Sequence, residues 1–291
     1  YYYTYINYNY NTMSIKYEMT NEGVGAQYQR IIGLLGIAKK HGLKFIHRKI
    51  TVGHNYEDDL LWDEKWDDIF NIKSINSIVE IDKENTTTNK EVVKLFNVSN
   101  NDIDMIIKNP DKIYSITLPF NIVDNAPNIY YNIIRNDIIN AYNNSNYELS
   151  LFDNEKKNIV IHIRVINQCD DKCETINYEN LVGRFDIYAE HYMILINKLR
   201  IIYPNYNIHI ISQKNISLHY KDIEKIENIK LHLDIDSKKS FHHMCNADIL
   251  VIAKSSFSYL AAIYNKNKVI FFPFWHAPLD NWQNACEYMC Y

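Results

Sequence analysis

At 291 residues the chain is long enough for two domains of ordinary size, each with a core of its own. With 31 basic against 35 acidic side chains and a net charge of −4, it has no basic field to gather nucleic acid or anionic lipid, so any phosphate it binds is held by a few local groups. No window reaches the roughly 20 apolar residues that span a bilayer, and residues 1–16 lack the basic and apolar parts of a secretory signal; this start reads as a disordered extension and the chain as cytoplasmic.

Residues 17–150 are predicted to form the first domain. Glu22-Gly23-Val24-Gly25-Ala26-Gln27 is a Gly-containing turn after a short extended piece, and residues 28–40 have helical apolar spacing up to the stop at Gly42. Leu43–His47 reads as the next strand, which completes the opening of an α/β domain. Trp62 and Trp66, four apart in an acidic stretch, mark one helix face. Strands are expected over Ser74–Ile81 and Lys112–Leu118, and helices over Asn101–Lys108 and Tyr131–Tyr142. Residues 143–155 are polar enough to link two domains.

Residues 151–291 are predicted to form a doubly wound domain. Buried strands are expected over Asn158–Arg164, Tyr206–Ser212, Ile229–Leu233, Ala247–Ala253 and Val269–Phe272. Helices are expected over Asp186–Ile202, Ser240–Asn246 and Ser258–Tyr264. Five cysteines, two pairs of them spaced C-x3-C (Cys169 with Cys173, Cys286 with Cys290), form no secreted disulfide framework. Zinc held by these with His242 and His243 is the alternative to ordinary reduced thiols, and no metal site is expected.

In a doubly wound sheet the ligand lies at the carboxyl ends of the strands, and that edge gathers polar residues here. Arg164 leaves a buried strand and needs an anion, either a phosphate gripped by its planar fork or an internal carboxylate. Ser255, Ser256, Phe257 and Ser258 open a helix and form either an anion site or a plain N-cap. His162 shares a strand face with Arg164 and is a nucleotide contact or a core histidine. Asp234 and Asp236 suit the N1–H and exocyclic amine of guanine, a paired-carboxylate metal site, or simple solvation. Of His242 and His243, one is expected to pack and one to reach the site. Ser212 closes the second strand of this half.

The order of these motifs resembles the fucosyltransferase superfamily, which includes α1,2-, α1,6- and protein O-fucosyltransferases. It is most similar to a branch found in protists and large DNA viruses. The resemblance runs through His162-x-Arg164, Gly183-Arg184-Phe185, Ile210-Ile211-Ser212, Leu231-His232-Leu233-Asp234, Ser240-Phe241-His242-His243-Met244, Ala247–Val251, Ser255–Tyr259 and Pro273-Phe274-Trp275-His276. A weaker part lies in the turn with Gly23, Gly25 and Gln27. The resemblance implies an α/β fold of GT-B type, two Rossmann-like domains facing across a cleft. It also implies inverting, metal-independent transfer of fucose from GDP-fucose to a glycan or protein hydroxyl, with no cofactor. Arg164 would be the catalytic group on the β-phosphate; His162, Arg184, Ser212, Asp234, Asp236, His242 and Ser255–Ser258 would bind the nucleotide.

The family's His-x-Arg-Arg-x-Asp reads His162-Ile163-Arg164-Val165-Ile166-Asn167 here, so the first arginine is retained and the second is lost. Glu22, His54, Glu57 and Asp58 are the candidates for the general base. Two other functions stay open: a GT-B transferase using another sugar nucleotide, and a non-catalytic nucleotide- or glycan-binding relative, which Val165 favours.

Overall fold

The computed structural model describes residues 13–51, 60–81, 90–143, 148–152, 155–164, 189–213, 223–226 and 229–289. Two parallel sheets organise them. The first contains β1 (Ser14–Tyr17), β2 (Lys44–His47), β3 (Val79–Ile81), β4 (Val92–Asn97) and β5 (Ile113–Leu118), in the order β3-β2-β1-β5-β4. The second contains β6 (Asn158–His162), β7 (Asn207–Ser212), β8 (Ile229–Leu233), β9 (Ile249–Ile252), β10 (Lys268–Phe271) and β11 (Gln283–Asn284), in the order β11-β10-β9-β6-β7-β8. Around them lie α1 (Val24–His41), α2 (Trp62–Phe70), α3 (Asn100–Lys108), α4 (Phe120–Val123), α5 (Pro127–Ala141), α6 (Ala189–Ile202), α7 (Ser237–Asn246), α8 (Ser256–Tyr264) and α9 (Cys286–Met289). The fold is α/β of GT-B type. No helix among the described residues is long and apolar enough to cross a membrane.

The central strands form where short Ile/Val runs are covered on both faces, and every residue of β6 is buried. Helix α1 stops because Gly42 adopts φ +67, a left-handed conformation that costs glycine little, and its N–H closes on the Ala38 carbonyl. Ser99 and Asp102 cap α3 reciprocally.

Three local expectations are corrected. The extension assigned to residues 1–16 includes Ser14–Tyr17, which is β1, paired with both β2 and β5 at the centre of its sheet; residues 1–12 lie outside the described residues. The strand expected over Ser74–Ile81 is a 3-10 turn (Ile72–Ser74) followed by a short β3, because Asn71 at φ 45 turns the chain just before it. β4 was not expected at all, and the two-residue β11 was likewise missed.

In each sheet the chain crosses from one side of its first strand to the other. In the first, the chain runs from β1 outward to β2 and β3, crosses to β4 at the opposite edge, and then fills in β5 between β4 and β1. In the second it runs from β6 to β7 and β8, then crosses to β9 beside β6. Such switch points leave a crevice at the strands' carboxyl ends.

The two halves share one apolar core. Helix α2 carries Trp66 against Phe241 of α7 and Phe257 of α8, with ring centroids 5.8 and 6.1 Å apart, and Phe70 packs on Phe241 at 5.3 Å. Helix α5 adds a polar tie: the Arg135 guanidinium donates to the carbonyls of Ile263 (3.0 Å) and Asn265, the last turn of α8. Those carbonyls have no partner within their own helix, so an arginine from the other half completes it.

Candidate functional site

The two switch points meet. The turn after β1 opens α1 at Gly23, and the turn after β9 opens α8 at Ser255. A Cβ on Gly25 would stand 2.5 Å from the backbone N and Cα of Phe257, so only glycine lets the first turns of these helices touch. Gln27 holds its side of the contact in place: fully buried, its amide donates to the carbonyls of Glu22 and Thr51, both at 2.9 Å. Two helix N-termini, each with first-turn N–H groups directed out of the helix, thus converge beside the end of β6.

The end of β6 places His162 and Arg164 at that spot. His162 is buried, its ring lies 6.1 Å from that of Phe257, and its Nδ1 has no hydrogen-bond partner. Burial, and secondarily the positive charge of Arg164, pull its pKa down to about 3, so the imidazole is neutral at physiological pH. The Arg164 guanidinium is partly buried and donates to the Gln213 side chain at 3.2 Å, the end of the neighbouring strand β7. A buried imidazole nitrogen without a partner, next to an arginine and a helix N-terminus, is an arrangement that an anion completes.

Other expected site residues hold the frame. The Ser212 hydroxyl donates to the Ile163 carbonyl at 2.9 Å and so fixes the end of β6. Ser255 caps α8 by accepting from the Phe257 N–H at 3.3 Å, and Ser258, fully buried, donates to the carbonyls of Ala253 and Ser255. The Ser256 hydroxyl instead lies beside a side chain, with Oγ 3.4 Å from His276 Nε2. Asp236 is the N-cap of α7, accepting from the Lys239 N–H at 2.7 Å. Asp234 is exposed at φ 50, at the turn after β8.

His242, expected at the nucleotide, is buried with its Nδ1 2.9 Å from the Tyr142 hydroxyl in the junction between the halves. His243 is also packed, with Nδ1 donating to the Lys239 carbonyl and Nε2 accepting from the Leu151 N–H. Arg184, His54, Glu57, Asp58, Cys169, Cys173 and Cys290 lie outside the described residues. Among the described ones, Cys245 and Cys286 are free thiols, and no group of three His, Cys, Asp or Glu is placed to hold a metal.

On the first sheet's edge the carboxylates are engaged. Glu22 pairs with the Arg30 guanidinium, which also donates to Thr20 at 2.8 Å. Glu18 accepts from Lys94 at 2.6 Å and from Ser115, and these bonds hold its pKa below the usual range. Sequence reasoning missed Asp124, whose carboxylate lies 3.1 Å from His276 Nδ1 across the junction. It also missed Lys238, buried at 3% exposure over the Trp62 ring and 3.4 Å from Asp236. The Asp124–His276 and Lys238–Trp62 contacts are long-range products of the fold, and His276, at a strand's end, carried a local signal.

No family model matches the chain, and no curated protein matches it in sequence. Among solved structures it is similar to POFUT1 in complex with GDP-fucose, with a TM-score of 0.55 at 12% identity over 91% of this chain and 99% of that one. POFUT1 in complex with GDP matches at 0.49, with 13% identity over 91% and 99% of the two chains. The E. coli heptosyltransferase WaaC with ADP-2-deoxy-2-fluoro heptose matches at 0.39, with 10% identity over 93% and 91%. At these identities the likeness is one of fold, and it is the first of the three that places the chain's two sheets in the GT-B architecture.

Proposed function

We propose that the chain is a metal-independent glycosyltransferase that holds a sugar nucleotide, GDP-fucose, where the two switch points meet, and moves the sugar to a hydroxyl of a glycan or protein. The observation that carries this reading is the unpartnered, buried Nδ1 of His162 beside Arg164 and the first turn of α8. The GDP-fucose held by POFUT1 supports the donor class.

As the bond between the anomeric carbon and the β-phosphate oxygen breaks, negative charge collects on the diphosphate. Arg164 and the α8 N-terminus are fixed in advance to receive it, which lowers the barrier without a metal. His162 is neutral, so it contributes a hydrogen bond rather than a charge, and a phosphate oxygen gives its Nδ1–H a partner. The acceptor enters from the first domain and attacks opposite the leaving diphosphate, inverting the anomeric centre. Glu18 is a weak base there because Lys94 and Ser115 stabilise its ionised form.

A second reading, with a different base on the nucleotide, is favoured by one observation. Asp236 is committed to capping α7, which leaves Asp234 as the one member of the expected guanine-reading pair not serving as a cap. Thermal unfolding with GDP, UDP and ADP in EDTA separates the two. GDP alone is expected to stabilise the protein, by about 2.7 kcal/mol at a hundredfold excess over its dissociation constant. Stabilisation by UDP in its place supports the second reading, and no shift with any of the three removes both.

A further inference from the structure

Behind the first turn of α8 runs a hydrogen-bonded chain that crosses the domain junction. Asp124, in the corner between α4 and α5 of the first half, has Oδ2 3.1 Å from His276 Nδ1. His276 belongs to the segment after β10 in the second half, is buried, and has Nε2 3.4 Å from Ser256 Oγ. The other Asp124 oxygen, Oδ1, is buried without a hydrogen-bond partner. The rest of the surroundings are poor in charge. Phe120 of α4 lies against the His276 ring at 4.8 Å, Tyr259 of α8 at 5.1 Å and Phe274 at 5.5 Å. Titratable groups packed beside this chain include Tyr259, whose hydroxyl donates to the Ala277 carbonyl, Tyr131 of α5 near Asp124, and Arg30 on the Phe120 ring. Burial raises the pKa of both tyrosines, so neither ionises near neutral pH.

The protonation of His276 decides which way the Ser256 hydroxyl points. Asp124 accepts a hydrogen from Nδ1 in either state. In the neutral ring Nε2 is a bare lone pair, so it takes the Ser256 hydrogen and leaves oxygen lone pairs toward any anion at the helix N-terminus. In the imidazolium Nε2 donates, Ser256 Oγ accepts, and the serine hydrogen is released to donate to that anion. The positive ring also answers the half-satisfied carboxylate of Asp124.

We infer that Asp124 and His276 are positioning residues that tie diphosphate binding to the uptake of one proton by His276, turning Ser256 from an acceptor into a donor toward the diphosphate. The proton comes from solvent, and no covalent bond is made or broken. The inference rests on the proposed placement of a nucleotide diphosphate at α8.

Calorimetric titration of the full chain with GDP, in two buffers of different ionisation heat between pH 6 and 8, tests it. His276→Gln keeps a hydrogen-bonding side chain but cannot take up a proton. The wild type is expected to take up more protons on binding GDP than His276→Gln does, and to lose about tenfold more affinity over that range. Using the difference removes the ionisation of GDP itself. Asp124→Asn, which keeps the ring but removes the charge opposite it, is expected to move the dependence to lower pH and gives the answer should His276→Gln not fold. Equal proton uptake and pH dependence in the wild type and both variants overturn the inference while leaving the nucleotide site standing. No binding of GDP to the wild type overturns the site and the inference together.

Discussion

At Gly25 and Phe257 backbone meets backbone between two helix N-termini. A methyl group at residue 25 has nowhere to go without moving one helix: 2.5 Å is closer than real Cβ contacts come, and the neighbour is main chain rather than a flexible side-chain end. Gly25→Ala is therefore expected to cost roughly 1–3 kcal/mol of folding stability and to weaken GDP binding by displacing α8 from β6. Urea unfolding and GDP titration of the same variant check both effects; unchanged values in both would mean the contact is looser than 2.5 Å. At this scale the sequence was a partial guide. The placement of Arg164 just after β6 and of Ser255–Ser258 at the start of α8 was legible from the alternation of strands and helices. The division of labour among the serines was not, since a capping hydroxyl and a ligand-facing one look alike in a sequence. His276 was visible as a strand-end residue, but its partner Asp124 lies 152 residues away in the other half.

The elements of the second half were legible for a simple reason: β6, β7 and β9 are short β-branched runs buried on both faces, which neither loops nor amphipathic helices imitate. β4 hid because it is an edge strand whose Val92 and Phe96 face solvent, 46% and 70% exposed, with Lys94 between them, so neither alternation nor a continuous apolar run marks it. The same sheet interior that made β7 readable carries a cost in acid. His209 on β7 is fully buried, bonded to Asn158 at 3.1 Å and to His232 of β8 at 3.0 Å. Burial, with His232 next, brings its pKa to about 3, and burial brings that of His242 to about 4. An unfolded histidine titrates near 6.5, so below about pH 6.5 the unfolded state binds more protons than the folded one, and stability falls as pH drops toward the folded values. The urea midpoint is expected to be level above pH 7 and to decline steadily from about 6.5 to 4.5, before most carboxylates titrate. His209→Gln should flatten the decline; a wild-type midpoint that does not move in this window would contradict the buried neutral histidines.

Across the whole molecule, the first sheet's helices and the junction-facing helices α7 and α8 of the second half pack into one continuous apolar cluster, from Ile15 through Trp66 and Phe241 to Trp282. Separate domains joined by small polar contacts move relative to each other, but a large apolar junction resists that. Arg135 reinforces it by satisfying the end of α8 from α5. The chain is expected to unfold in a single transition by both tryptophan fluorescence and far-ultraviolet circular dichroism, and to keep its radius of gyration when GDP binds. Two resolved transitions, or a contraction on binding, would point to a hinge at the junction. On the proposed function, such rigidity would keep Arg164, His162 and α8 in place for the diphosphate without a closing motion.

The central claim is that Arg164 and the α8 N-terminus hold a nucleotide diphosphate. The direct test is calorimetric titration of GDP in EDTA into the wild type and Arg164→Ala, with thermal unfolding of both unliganded proteins as the folding control. GDP is expected to bind the wild type without metal and to bind the variant about tenfold to a hundredfold more weakly, the worth of a charge-assisted hydrogen bond, with little change in unliganded stability. Equal affinity of the two proteins for GDP would contradict the claim.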